Sequence, residues 1–161
     1  MNRGATVTPL TSDDLKEVVD VLCGLEAVIG RLAAERLDPD GLRTVELLHQ
    51  TMLSHHLHRD RPAYFRVNQQ IHRQLVEAAR NRTLLDIYVG LNLRIRRFRY
   101  MANLDDSRWT QAILEHEEIM KALRRRDGGA LGNLLQLHLR TKTEHVLQAL
   151  REGGVPGRST T

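Results

Sequence analysis

Apolar residues recur every three or four positions along this chain, in six stretches that are separated by polar breaks. This spacing places the apolar side chains on one face of an α-helix, whereas a strand would need alternation with a period of two. In the first stretch Leu15, Val18, Leu22 and Leu25 follow at helical spacing before the pattern ends near Arg36. The pattern predicts an all-α fold, a single antiparallel helical bundle of six to seven helices, because short connections favour antiparallel neighbours.

The predicted helix boundaries rest on capping residues and on residues that break helices. Thr11, followed three positions later by Asp14, has the sequence of a capping box. Asp38-Pro39 and Asp60-Arg61-Pro62 each end one helix and start the next, because proline fits the first turn of a helix but not its interior. Asp127-Gly128-Gly129 is the last break, before a helix that we expect to continue to about residue 150.

Length and composition narrow the class of protein. The chain has 161 residues, the size of one domain, and aromatic residues make up only 4%, so aliphatic side chains must fill the core. We expect a linker over 1–10, a domain over 11–151 and a disordered tail over 152–161. The single cysteine, Cys23, rules out a disulfide within the chain, and no apolar run is long enough to cross a bilayer. We expect a cytoplasmic protein without membrane contacts. The net charge of +4 is a mild excess, which leaves nucleic acids, anionic metabolites or no particular partner open.

Three of the eight histidines differ from the others in their position. His72, His116 and His138 each lie within or beside the apolar face of their own helix, near its middle. Asn68 stands four residues before His72, so the two side chains project from one face. Burying three imidazoles is costly unless they find polar partners, and a shared divalent cation would satisfy them together. Periodicity alone leaves two interpretations open, hydrogen-bonded core histidines or ligands of one metal ion.

Other metal-site patterns fit this sequence less well. A zinc-peptidase helix would need a second histidine at position 120, and a di-iron bundle would need glutamate at positions 113 and 135. Cysteine-based zinc sites need more than one cysteine. A hydrolytic metal site would also need a general base, but the spacing of Glu115, Glu117 and Glu144 places them away from the histidine faces.

The residues around these side chains resemble the signatures of a known family. Residues 68–75 read Asn-Gln-Gln-Ile-His-Arg-Gln-Leu and residues 78–81 read Ala-Ala-Arg-Asn, which is similar to the family pattern Asp/Asn-x-x-Phe-His-x-x-Leu-x-x-Ala-(Ala/Ser)-Gly-Asn. Glu115-His116 and His138-Leu139 resemble the next two signatures, and the three histidines are separated by 44 and 22 residues. Over about residues 4–150 the chain resembles the FCD effector domain of the FadR subgroup of GntR-type transcription regulators.

The resemblance implies a ligand set and a mode of action. Asn68, His72, His116 and His138 would take the four protein-ligand positions of a divalent metal, with zinc first and nickel or manganese as alternatives. A small carboxylate effector would fill the remaining positions and change the affinity of a homodimer for operator DNA. DNA would be bound only through the family's winged helix-turn-helix, which would precede residue 4. The chain would then be a truncated regulator, an isolated domain or a free-standing FCD protein.

Two departures from the family pattern bear on the effector. Many members carry aspartate at the position of Asn68, and an uncharged amide oxygen there should increase the demand for an anionic ligand. Leu22 stands where the first helix often carries an arginine. Arg94 abuts the apolar stripe of its helix and is a candidate for pairing with an effector carboxylate, although a solvated helix face and nucleic-acid contact are alternatives for this basic run. His145, two turns after His138, is a candidate for the mouth of the pocket.

The leading functional hypothesis is therefore a ligand-sensing domain that performs no chemistry. One alternative is a free-standing metal-dependent enzyme on the same helical scaffold, because an open coordination position can activate water. Another is a partner that dimerises with full-length regulators and disables them.

Overall fold

The computed structural model describes residues 11–153, so the predicted linker over 1–10 and positions 154–161 of the predicted tail lie outside the described residues. Within 11–153 the chain forms helices joined by short turns, without a strand. In chain order the helices are α1 (Ser12–Arg36), α2 (Pro39–Leu57), α3 (Arg61–Ala78), α4 (Arg82–Met101), α5 (Asp106–Arg124) and α6 (Gly128–Arg151). The predicted all-α bundle is confirmed, at the lower end of the expected number of helices. None of these helices is both long and apolar enough to span a bilayer.

Each of these helices begins after a residue whose side-chain oxygen accepts a hydrogen bond from a backbone amide of the first turn. These residues are Thr11, Asp38, Asp60, Asn81, Asp105 and Asp127. At α1 both hydrogen bonds of the predicted capping box between Thr11 and Asp14 are present. Caps of this kind satisfy amides that the helix leaves unpaired, at about 1 kcal/mol each, so short local signals determine where each helix starts.

The most extensive contact between helices joins α1 to α6, where the two backbones touch. Gly30 of α1 faces Gly132 of α6, and a Cβ atom on Gly30 would lie on the backbone of Gly132. A Cβ atom on Gly132 would in turn be 2.9 Å from the carbonyl oxygen of Ala27. Glycine is required at this crossing because any side chain would push the helices apart, and the lost contacts could not be replaced.

The interior combines an aliphatic core, to which every described helix contributes, with a set of buried polar residues. The buried polar or charged residues are Glu26, His49, Asn68, His72, Arg99, Asn103, Arg108, His116, His138 and Lys142. Burying such groups costs free energy unless each is paired. Their partners, or the lack of partners among the described residues, therefore indicate which part of the interior is a candidate for binding a ligand.

Candidate metal centre

Three helices each bring one histidine to the same point inside the bundle. His72 comes from α3, His116 from α5 and His138 from α6, and all three are buried. The ring centroids of His116 and His138 are 4.7 Å apart, and that of His72 lies 5.4 Å from the first and 5.5 Å from the second. One nitrogen from each ring lies within 4.8 Å of the other two. The convergence expected from the helical spacing is present.

These nitrogens are close enough to share one ion. Three points within 4.8 Å of one another have a common centre at most about 3 Å from each of them. Bonds between zinc and imidazole nitrogen are ~2.0–2.1 Å long, so side-chain movements of about 1 Å would give coordination distances.

The three imidazoles are held in the neutral state that a metal ligand needs. Both ring nitrogens of His72 and of His116, and Nε2 of His138, have no hydrogen-bond partner among residues 11–153. Burial is the main cause that keeps the pKa of each imidazole well below its ordinary value, and the positive charges of Arg99 and Lys142 lower these pKa values further. Buried nitrogens without a partner are costly, and a cation bound to their lone pairs would remove part of that cost.

Glu115 fixes the orientation of His138. Its Oε2 atom lies 2.5 Å from Nδ1 of His138 and 2.6 Å from Nη2 of Arg108. Because Nδ1 donates to this carboxylate, Nε2 keeps the lone pair that can bind a metal. The expectation that Glu115 lies away from the histidines was wrong. Spacing along α5 gives the position of Glu115 relative to His116, but it does not reveal that α6 packs on that side.

Asn68, one turn before His72 on α3, is fully buried, and neither Oδ1 nor Nδ2 has a partner within the described part of the chain. An unpaired buried amide costs about 1–3 kcal/mol, so a ligand for its oxygen would be stabilising. Because Asn68 lies one turn before His72 on α3, its Oδ1 would add one neutral oxygen to the three imidazole nitrogens. Such a set suits a divalent first-row metal, and the residues present therefore fit the ion that the resemblance implies.

Two buried basic side chains, those of Arg99 and Lys142, lie near the histidines. Arg99 of α4 donates from Nη1 to Oδ1 of Asn92 at 2.7 Å, but its Nε and Nη2 have no partner among the described residues. Lys142, one turn after His138 on α6, is 2% exposed, and its Nζ is also without a described partner. Burial, together with the positive charges of Arg99 and Arg108, lowers the pKa of Lys142 well below its ordinary value. An anion would satisfy these donors, so the centre can accept an anionic ligand beside a cation.

Neither of the two residues predicted to contact the effector is fully buried. Arg94 is exposed, and its charge acts on Asp14 at the start of α1. His145 is half-buried and lies near Asp105 at the N-cap of α5. Arg99, five residues after Arg94 on α4, is buried and lies on another side of the helix, because five residues turn the side chain by about 140°. Contacts of Arg94 and His145 with an effector stay predictions.

Sequence reasoning missed three residues near this centre, His49, Arg99 and Lys142. His49 is buried on α2, and its ring centroid is 6.4 Å from that of His116. A signal was available for each of them. His49 stands on the apolar stripe of α2, Arg99 on that of α4, and Lys142 follows His138 by four residues, which is the spacing that placed Asn68 beside His72.

Known proteins share both the sequence pattern and the fold. The FCD domain profile matches residues 17–141. The uncharacterized HTH-type transcriptional regulator YdhC of Bacillus subtilis (strain 168) is 26% identical over 152 residues, which are 94% of this chain and 68% of that regulator. The fold is similar to that of E. coli McbR/YncC, with a TM-score of 0.81 and 17% identity over 89% of this chain and 72% of that one. The profile match spans most of the chain and confirms the resemblance seen in the sequence: the chain belongs to the FCD domain family of GntR-type transcription regulators.

Proposed function

We propose that this domain is the effector-sensing part of a transcription regulator and performs no chemistry of its own. It binds one divalent metal ion through Asn68, His72, His116 and His138, together with a small carboxylate that completes the coordination. The observation that carries this proposal is the convergence of three buried, neutral imidazoles whose nitrogens lack partners among the described residues. The family match and the HTH-type relative support the regulatory role.

Zinc is the first choice for the metal, with nickel and manganese as alternatives. Imidazole nitrogens suit transition metals of this kind, whereas magnesium and calcium prefer oxygen ligands. The bound ion would supply a Lewis-acidic position for a carboxylate oxygen. Because Asn68 contributes an uncharged oxygen, the protein donates no negative charge to the ion directly. An anionic ligand therefore gains more here than it would in a site with an aspartate.

Arg99 and Lys142 favour a carboxylate as the second ligand. Their buried N–H groups lack partners among the described residues, and charge-assisted hydrogen bonds to a carboxylate are stronger than those to neutral acceptors. The metal ligands come from α3, α5 and α6, and Arg99 adds α4. A carboxylate bound at this point would therefore connect four helices and favour one packing of the bundle over others.

In the complete regulator, a change in the packing of the bundle would alter how the two subunits of a homodimer are arranged. The relative arrangement of the two subunits would set the spacing of two winged helix-turn-helix domains, which alone would contact DNA.

The alternative of a metal-dependent enzyme needs a base beside the metal. Glu115, which contacts His138, is hydrogen-bonded to both His138 and Arg108, and this arrangement supports an orienting role instead.

Metal analysis of protein purified without a histidine tag tests the proposal. We expect about one divalent ion per chain and a rise in Tm when zinc is added to chelator-treated protein. His116→Ala should abolish both. The matched control is His58→Ala, which removes an exposed histidine at the end of α2 and should change neither.

Small carboxylates should then raise the Tm of the metal-loaded protein further, but not that of the His116→Ala variant. A chain that holds no ion, and whose Tm is the same with and without chelator, would contradict the proposal. Equal metal loss in the His116→Ala and His58→Ala variants would show that the wrong histidines were assigned.

A further inference from the structure

A groove runs along the surface between α3 and α4. It consists of two adjoining hollows of about 350 and 630 Å³, which share Arg66, Leu93 and Arg96. Volumes of this size accommodate small organic ligands. The groove lies outside the set of metal ligands, and the proposed function as stated above leaves it without a role.

Positive charge dominates this groove. Arg66 and Arg73 line it from α3, and Arg96 and Arg97 line it from α4. Arg73 pairs with Glu77, whereas no ion pair joins the other three arginines to a carboxylate within residues 11–153. Neither hollow is lined by an aspartate or glutamate of the described chain. A concave surface with charge of a single sign attracts and concentrates ions of the opposite sign, here anions.

Hydrogen bonds connect the floor of the groove to Arg99, which lies near the histidines. Gln69 and Asn92 both line the groove, and Nδ2 of Asn92 donates to Oε1 of Gln69 at 3.0 Å. Oδ1 of the same Asn92 accepts from Nη1 of Arg99 at 2.7 Å, and the charge of Arg99 lowers the pKa of His72. The Nε2 atom of Gln69 is buried and has no partner among the described residues. Asn92 thus links the arginine-lined groove to the buried Arg99 by a single hydrogen bond.

A separate and much smaller hollow is lined by Arg99 itself. It lies where α1, α4 and α6 meet, and both Arg99 and Lys142 line it. Its volume is about 10 Å³, which is roughly the space for one water molecule. A carboxylate could pass here only by separating the apolar side chains of Leu15 and Phe98, which also line it. The α3–α4 groove, which Arg99 does not line but which Asn92 links to it, has room for a carboxylate.

We propose that the groove between α3 and α4 is the site where anionic ligands first bind and through which they reach the metal centre. The inference rests on the proposed function, because it takes the metal and Arg99 as the destination of the ligand. The arginines collect a small di- or tricarboxylate from solution. The ligand then replaces the contact between Gln69 and Asn92, whose amides can hydrogen-bond to it in passing, and is bound by Arg99.

This arrangement predicts that the groove arginines and Arg99 affect different steps of ligand binding. The groove arginines act mainly on the association rate constant, because long-range attraction accelerates encounter and is screened by salt. Arg99 acts mainly on the bound state, because it remains in contact with the ligand.

Stopped-flow absorption of Co²⁺-loaded protein in alkaline buffer tests the groove. Malonate is the anionic probe, and imidazole, which is uncharged at alkaline pH, is the neutral probe. Binding of either probe changes the absorption of bound Co²⁺. The groove variant carries Arg66→Gln, Arg96→Gln and Arg97→Gln. At low ionic strength its association rate constant for malonate should fall about tenfold, and the difference should shrink in concentrated salt. The rate constant for imidazole should stay within about twofold of that of the unmodified protein, since a neutral ligand is not steered.

A charge-matched control variant carries Arg31→Gln, Arg125→Gln and Arg140→Gln, which remove three exposed arginines from other parts of the surface. It should bind malonate at close to the rate of the unmodified protein. Equal rate constants for malonate in the groove and control variants, with Co²⁺ bound to both, would overturn the inference and leave the proposed function standing. Protein that binds no Co²⁺ at all would overturn the proposed function, and the inference with it.

Discussion

The crossing of α1 and α6 and the histidine centre are both buried, but they differ in what fills them. At the crossing, Gly30 and Gly132 let the two backbones touch, and the chain itself occupies the space. At the histidine centre, ring nitrogens, the amide of Asn68 and Nζ of Lys142 lack hydrogen-bond partners among the described residues. The difference separates a part of the interior that stabilises the fold from the part that we propose for binding.

The energetic consequences of the two regions have opposite signs. Close packing at the crossing gains many weak dispersion contacts, which together stabilise the bundle. Each unpaired buried polar group at the histidine centre costs about 1–3 kcal/mol. The domain therefore tolerates a destabilised centre because the crossing and the aliphatic core support it, and the proposed ligand would recover part of that cost as a rise in stability.

The largest effect is expected at the crossing. Gly30→Ala should lower the free energy of unfolding by about 3 kcal/mol, because the new methyl group would lie on the backbone of Gly132. Gly24→Ala is the matched control on the same helix, where no atom lies within 4 Å of the added Cβ. It should raise the free energy of unfolding by about 0.5–1 kcal/mol, because alanine favours the helix. Urea denaturation measures the free energy of unfolding of both variants. Equal losses of stability in Gly30→Ala and Gly24→Ala would contradict a special role for the crossing.

The fold was predictable because its signals are local. Thr11 with Asp14, and the prolines after Asp38 and near Asp60, determine helix ends through contacts within a few residues. The apolar stripes then determine which faces are buried. The crossing was not predicted, because the need for Gly30 comes from a residue about a hundred positions later in the chain, and no local pattern reports such an approach.

The candidate site was predictable only in part, for the same reason. His72, His116 and His138 stand out because polar residues on an apolar stripe are visible in the sequence. The partner of His138, Glu115, comes from a different helix, and its role depends on how α5 packs against α6. The choice between Arg94 and Arg99 depends on which side of α4 faces inward, and the dense run of arginines there obscures the stripe.

A smaller effect, near the histidine centre, should depend on pH. Glu26 of α1 is buried and accepts a hydrogen bond from the hydroxyl of Tyr88 at 3.4 Å. Burial raises the pKa of Glu26 from 4.5 to about 7, against the opposing charge of Arg99. Between these pH values the folded protein keeps a proton that the unfolded chain has released. This group's contribution to stability therefore falls as pH rises, by about 2 kcal/mol between pH 5 and pH 7, and levels off above pH 7.

Comparison with the Glu26→Gln variant isolates this contribution, because the amide does not titrate. The free energy of unfolding of the unmodified protein, minus that of the variant, should decrease from pH 5 to pH 7, as measured by urea denaturation in the presence of chelator. Glu17→Gln removes an exposed carboxylate from the same helix and serves as the control. The free energy of unfolding of the unmodified protein, minus that of Glu17→Gln, should not decrease from pH 5 to pH 7. A difference for Glu26→Gln that is constant over this range would contradict the assignment.

The smallest effect concerns which arginine of α4 meets the carboxylate. Arg99→Gln should weaken binding of malonate to the zinc-loaded protein about tenfold, about 1.4 kcal/mol, because it removes a charge-assisted hydrogen bond at a buried position. Arg94→Gln removes the same charge from an exposed position on the same helix and should change the affinity by less than about twofold. Isothermal titration calorimetry distinguishes these outcomes, with circular dichroism to establish that both variants are folded. If Arg94→Gln weakened binding as much as Arg99→Gln, the ligand would have to lie against the outer side of α4. The buried polar groups around the histidines would then stay without partners when this ligand binds, and would continue to destabilise the folded protein.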